Sequence, residues 1–182
     1  MPSMKPSQAG LGERIAAFAF DYIIIAGYLL IFVAVGLIAN IFFPAIAHRL
    51  FGNPLSGQTT GFLLITLPVS LYFIVCESSP LQATWGKLRK GLQVTRTDGT
   101  RLTIMHASSR TLLKFIPWEL AHTCIWQISF SKQTPPSWIN MGFVLVWILV
   151  GANFVSLWTS PTHQTLYDYL AGTYVVKESQ PN

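Results

Sequence analysis

The sequence predicts an all-α membrane protein: four transmembrane helices, with a short cytoplasmic β-hairpin-like loop between the second and third. Three observations lead there. Hydrophobic residues make up 51% of the 182-residue chain and charged residues only 10%, whereas a soluble domain carries about 25% charged residues to keep its surface hydrated. Apolar runs of membrane-crossing length recur along the chain. The basic residues gather on alternate connections between those runs.

A helix needs about 20 apolar residues to cross roughly 30 Å of hydrocarbon. Residues 1–10 are expected to form a flexible cytoplasmic tail and residues 178–182 a second tail, around one transmembrane domain over 11–177. The first span is predicted at 15–41, interrupted only by Asp21. That run is too long for a signal peptide, and a signal core seldom carries an acid, so it reads as a retained helix. The second span, 59–76, contains Pro68, which membrane helices tolerate.

The third segment, 110–130, is less apolar and holds Lys114, Pro117, Glu119 and His122. Two readings stay open for it. One is an amphipathic helix in the interface with its charges toward water. The other is a full span, with Lys114 snorkelling to the headgroups and Glu119 and His122 facing the bundle. The fourth span, 138–158, has no ionisable residue, and Trp138 and Trp158 lie 20 residues apart. That is about 30 Å of helix, so each indole reaches an interface.

With four spans, Lys5, Lys87, Arg89, Lys90, Arg96, Arg101 and Lys177 lie on one side, with Arg14, Arg110 and Lys114 at the adjoining helix ends. The other side holds Arg49 and Lys132, a ratio of ten to two. The positive-inside rule then places both termini in the cytoplasm. Within the loop over 77–109, Leu92 and Val94 alternate with polar residues. Asp98-Gly99 is a turn dipeptide, and Leu102 and Ile104 resume the alternation; the pattern predicts a hairpin.

The formal charge of +5 does not indicate a nucleic-acid partner, because the basic residues crowd one loop instead of covering a soluble face. Lys87, Arg89 and Lys90 are candidate contacts for anionic lipid headgroups. Cys76 and Cys124 have no metal-like spacing and read as small packed side chains. No phosphate loop, nucleophile elbow or zinc-protease pair is present. The expectation is a protein without enzymatic activity, metal or cofactor.

Asp21 lies two turns inside the first apolar run, where a carboxylate costs about 2.5 kcal/mol or more on insertion scales. It must face the protein interior and find a partner, or take up a proton. Arg14, seven residues earlier on the same helix face, is one candidate partner; a base from another helix is the alternative. Glu119 and His122 stand one turn apart, a spacing that can suit shared metal ligation; with no ligands assigned on another helix, packing or a titrating pair is the favoured reading.

Three stretches resemble the RDD family of bacterial membrane proteins, named for one arginine and two aspartates. They are Gly12-Glu13-Arg14 through Asp21; Glu77 with Thr84-Trp85-Gly86-Lys87 and Gly91-Leu92-Gln93-Val94; and Asp168-Tyr169-Leu170-Ala171-Gly172-Thr173. Trp85 stands where the family has a smaller residue. The resemblance implies a multi-pass protein of the bacterial inner membrane. It further implies a polar cluster of Arg14, Asp21, Glu77, Lys87 and Asp168 at the cytoplasmic face. Some members of that family are described as cation/proton antiporters, and many are known only as membrane domains. Two functions follow as expectations. One is a transporter coupled to a monovalent cation or proton, working alone or as a homo-oligomer. The other is a non-transport subunit, assembly factor or scaffold, partnered by lipid and another membrane protein, whose cluster is structural.

Overall fold

The computed structural model describes residues 7–131 and 134–177. Lys5, Lys132 and the tail at 178–182 lie outside the described residues. The elements in chain order are α1 (Leu11–Phe42), α2 (Pro44–Phe51), α3 (Pro54–Gly61), a π-helical turn (Phe62–Thr66) and α4 (Leu67–Ser78). These are followed by α5 (Trp85–Arg89), β1 (Leu92–Arg96), α6 (Ile104–Ser129), α7 (Ser137–Thr159), α8 (Leu166–Leu170) and β2 (Thr173–Lys177).

Among the described residues, three helices are long and apolar enough to cross a membrane: Leu11–Phe42, the continuous Pro54–Ser78, and Ser137–Thr159. Each extends a predicted span by a few residues at its ends. On α1, Leu30 and Ile41 are 71% and 70% exposed; side chains like these have no aqueous role and suit contact with lipid. The 26-residue α6 is not among the three: it carries Arg110, Lys114 and Glu119, with Pro117 inside it.

Helix starts follow local chemistry. Asn53 caps α3 in a reciprocal box with Ser56, and Pro54 occupies the first turn, where its missing N–H costs nothing. Thr84 caps α5. Thr165 caps α8 in a box with Asp168.

The chain folds as two compact units. One comprises the stretch up to Ile23, Leu71–Leu113 and the chain from Gly151 onward; the other comprises Ile24–Ser70 and Lys114–Val150. The first unit contains the sheet. Its core joins Ala9, Ala17, Leu92, Val94, Leu102, Ala107 and Val175, with Ile74 against it.

Here the predicted hairpin is corrected. The Asp98-Gly99 turn forms, with Gly99 donating to the Arg96 carbonyl at 2.9 Å and a positive φ at Gly99. Beyond it, however, only Thr95 and Arg101 bridge, and Ile104 already opens α6. The partner of β1 is β2, antiparallel, with Val94 opposite Val175 and all five residues paired. The alternation at Leu92 and Val94 is thus a true strand signal. A long-range partner wins because it supplies a full five-residue ladder and apolar Val175 against Val94, while Leu102 still reaches the same core as a loop residue.

Within the stretch 1–10 expected as a flexible tail, the described residues Ser7, Gln8 and Ala9 are held against β2. Gln8 bridges Val176, Ala9 donates to the Val175 carbonyl at 3.0 Å, and Lys177 donates to the Ser7 carbonyl at 2.9 Å. The free edge of β2 is thereby covered.

The second unit packs through small residues. A Cβ on Gly57 would stand 2.5 Å from the Trp126 ring, and one on Gly142 would stand 2.5 Å from Cys124 Sγ. Phe51 stacks on Trp126 with centroids 6.0 Å apart. Close backbone approach over small residues is a general route to helix association in lipid.

Candidate functional site: an ion network and an aspartate cradle

Five charged side chains of the first unit form one chain of alternating sign. Lys87 Nζ lies 2.7 Å from Glu77 Oε1, and Arg110 Nη1 lies 2.6 Å from Glu77 Oε2. Arg110 Nη2 and Nε then donate to Asp168 Oδ1 at 2.6 and 2.9 Å. Arg14 closes the series, donating from one nitrogen to Asp168 Oδ2 and from the other to the His163 carbonyl. Glu77 and Asp168 are fully buried, yet each of their four carboxylate oxygens meets a cationic nitrogen. Burial alone would push the Asp168 carboxyl up; Arg110 and Arg14 outweigh it and hold the group well below the usual carboxylate range.

Local structure places these groups. Glu77 ends α4, Lys87 rides on the short α5, and Asp168 doubles as the third residue of the α8 capping box, accepting from Thr165 N at 3.2 Å. Arg110 also donates to Thr173 Oγ1 at 3.2 Å and stacks over the Tyr167 ring at 5.2 Å. A planar guanidinium suits this position, because its fork serves two carboxylates at once.

Asp21 is bound differently. Its Oδ1 accepts from Tyr72 Oη at 2.8 Å and Gly86 N at 2.7 Å, and its Oδ2 accepts from Thr84 Oγ1 at 2.6 Å. All three donors are uncharged. Tyr72 Oη in turn accepts from Trp85 N at 3.0 Å. Gly86 is required here: a Cβ would stand 2.0 Å from the Ala17 carbonyl and 2.8 Å from Asp21 Cγ. The α5 backbone can approach α1 this closely only without a side chain.

Several sequence expectations are therefore redrawn. Arg14 does not pair with Asp21; two turns of helix separate them, and the arginine reaches Asp168 instead. Lys87, expected among the headgroup contacts, directs its ammonium to Glu77 instead of outward, and its side chain is 12% exposed. Arg89 and Lys90 remain exposed, with the Arg89 guanidinium 4.9 Å from the Trp85 ring. Arg14, Glu77, Lys87 and Asp168 come together as one network, and Asp21 sits on the turn that carries Lys87. Sequence reasoning missed Arg110 as the centre of the network, counting it only as a helix-end charge. The available signal was helical spacing: Ala107, Arg110 and Thr111 share a face, and all three are buried.

No curated protein and no solved structure matches the chain. The RDD family model matches residues 8–172, a stretch that includes Arg14, Asp21, Glu77, Lys87, Arg110 and Asp168. With most of its length matched, the chain belongs to the RDD family.

Proposed function

We propose that this chain is a four-span, non-catalytic protein of the bacterial inner membrane, and that its Arg/Asp cluster is a fixed clasp across helix ends. It serves as a scaffold or subunit, and the clasp is not a translocation site. One observation carries the reading: each carboxylate oxygen of Glu77 and Asp168 is matched by a cation, so the network has no open position for a passing ion.

The clasp also bears on topology. Arg14 stands near the start of α1 and Asp168 beyond the end of α7, and the two are bonded. Membrane crossings between them must then be even in number. Three apolar helices make an odd count, so α6 is the element that makes it even. Its 26 residues rise about 39 Å, enough to span. Of the ten basic residues assigned to one side, the clasp absorbs Arg14, Lys87 and Arg110; seven against two still favours cytoplasmic termini. Reporter fusions after Asn53, after Lys132 and at the C-terminus should read outside, outside and inside. A cytoplasmic Lys132 would refute the four-span reading.

A second reading, transport coupled to a monovalent cation or proton, is favoured by one feature. Asp21 is buried inside a span with only uncharged donors, so an exchanging cation could neutralise it. Asp21→Asn separates the two. Under the clasp reading the three donors lose their acceptor charge and folded protein falls in the membrane. Under the transport reading the protein persists and ion flux in liposomes disappears.

A further inference from the structure

Helix α2 (Pro44–Phe51) meets the rest of its unit along one side. Phe51 stacks on Trp126, the Leu50 carbonyl accepts from Thr60 Oγ1 at 2.9 Å, and Ala47, one turn before Phe51, is half-buried. With 3.6 residues per turn, Ile46 and Leu50 share the adjoining side, in line with Phe43 at the helix cap. All three are exposed. Arg49 comes next around the helix, beside Ile46 and opposite Ala47, and is exposed as well.

The depth of this helix follows from the spans it joins. Helix α1 ends at Phe42, and Phe43 caps α2 directly. From Arg14 to Phe42, α1 rises about 42 Å, close to the roughly 40–45 Å of a bilayer with its headgroups. The next candidate span opens at Pro54. A crossing that starts with Arg14 in one headgroup layer therefore delivers α2 to the other. An apolar side next to a cationic one suits a helix lying in that interface plane.

The second unit offers Arg49 no acid. Glu119 is its only acidic residue, and that carboxylate already accepts from Thr66 Oγ1 and Gln58 Nε2, with His122 Nδ1 at 3.5 Å. Among the described residues, Arg49 forms no salt bridge. A guanidinium at headgroup depth then calls for an anion from outside the chain, and its planar fork matches a phosphate bidentately.

We propose that α2 lies in the membrane interface at the end of α1 remote from Arg14, with Phe43, Ile46 and Leu50 among acyl chains, and that Arg49 binds the phosphate of a net-anionic phospholipid. A lipid is the occupant because the cation and the apolar side are neighbours, and a phospholipid carries its phosphate directly above acyl chains. A zwitterionic headgroup has the same phosphate but cancels its charge, so the anionic class binds more tightly.

The proposal uses none of the clasp's residues and holds whether or not α6 spans. The test is photolabelling of the purified full chain in phosphatidylcholine nanodiscs. A minor fraction of phosphatidylglycerol carries a diazirine near its glycerol, and adducts are mapped by peptide mass spectrometry. Label should fall on Phe43 and α2, and its share of the total should drop about threefold or more in Arg49→Gln. Phosphatidylcholine bearing the same diazirine should label α2 of the wild-type chain to a similarly lower share. Absence of label on α2, as when a second copy or another protein covers it, would overturn the proposal. An undiminished share in Arg49→Gln, or equal labelling by the two lipids, would do the same. If Arg49→Gln does not fold, the comparison of the two lipids on the wild-type chain decides.

Discussion

In the unit built around Arg110, five charged side chains alternate in sign and every oxygen of two buried carboxylates is matched. In the unit built around Glu119, a single carboxylate is met by a hydroxyl, an amide and an imidazole, and a buried amide oxygen has no donor. A matched buried network resists change, because removing any member strands its neighbours. A carboxylate held by neutral donors can exchange partners without stranding a charge. The contrast assigns rigidity to the clasp and exchange to carboxylates met by uncharged donors, Asp21 among them, and it can be attacked at several points.

The sharpest attack is on Arg110. Replacing it with methionine keeps an unbranched stem of similar reach and removes the charge shared by Glu77 and Asp168. Breaking a buried pair typically costs about 3–5 kcal/mol, against total stabilities of about 5–15 kcal/mol. The expected outcome is loss of folded protein, measured as membrane abundance and as monodisperse recovery in detergent. Near-normal abundance of Arg110→Met would show that the network is not what holds the first unit.

Gly86→Ala tests the cradle beside it. The new Cβ would stand 2.0 Å from the Ala17 carbonyl, a backbone atom that cannot turn aside, so α5 must move off α1 and take Thr84 and the Gly86 N–H away from Asp21. Overpacking of this kind costs about 1–3 kcal/mol. The unfolding midpoint should drop clearly, by less than for Arg110→Met. An unchanged midpoint would mean that the α1–α5 contact is looser than its geometry indicates.

What the sequence disclosed depended on whether a local pattern carried the information. Span-length apolar runs, the paired tryptophans of α7 and the motif residues Arg14, Glu77, Lys87 and Asp168 were all legible, because length, composition and motif spacing are local properties. The pairing of β1 with β2 was not, because it joins positions about 80 residues apart, with no local signal linking the two. The Asp98-Gly99 turn pointed to the nearer strand. Arg110 and Lys87 were misjudged for a related reason: a basic residue at a helix end looks the same whether it faces headgroups or a buried acid. Only the positions of Glu77 and Asp168 decide between the two.

Acid should reveal the clasp gradually. The Asp168 carboxyl is held below its ordinary range, so the stability it contributes is present above its unfolded value of about 3.9 and is lost as pH falls from there toward its folded value. The detergent-solubilised protein should keep a level unfolding midpoint from neutrality to about pH 5 and lose stability below about pH 4. A decline beginning near pH 6 would point to a different titrating group and weaken the account of a matched network.

The smallest effect belongs to the basic residues that the clasp leaves out. Arg89 and Lys90 are exposed beside Trp85, whereas Lys87, three residues from Lys90, is locked on Glu77. A basic residue near an anionic surface contributes about 1 kcal/mol of attraction, screened within a Debye length of roughly 10 Å at 0.1 M salt. Neutralising Arg89 and Lys90 together should therefore weaken contact of this loop with vesicles containing anionic lipid. The effect should disappear at high salt and leave the unfolding midpoint unchanged. Neutralising Lys87 alone should do the reverse, lowering the midpoint with little change in salt-sensitive lipid contact, because its ammonium faces Glu77 and not the headgroups. If the Lys87 variant instead lost lipid contact and kept its stability, the division of this loop into a clasped residue and two free ones would be wrong.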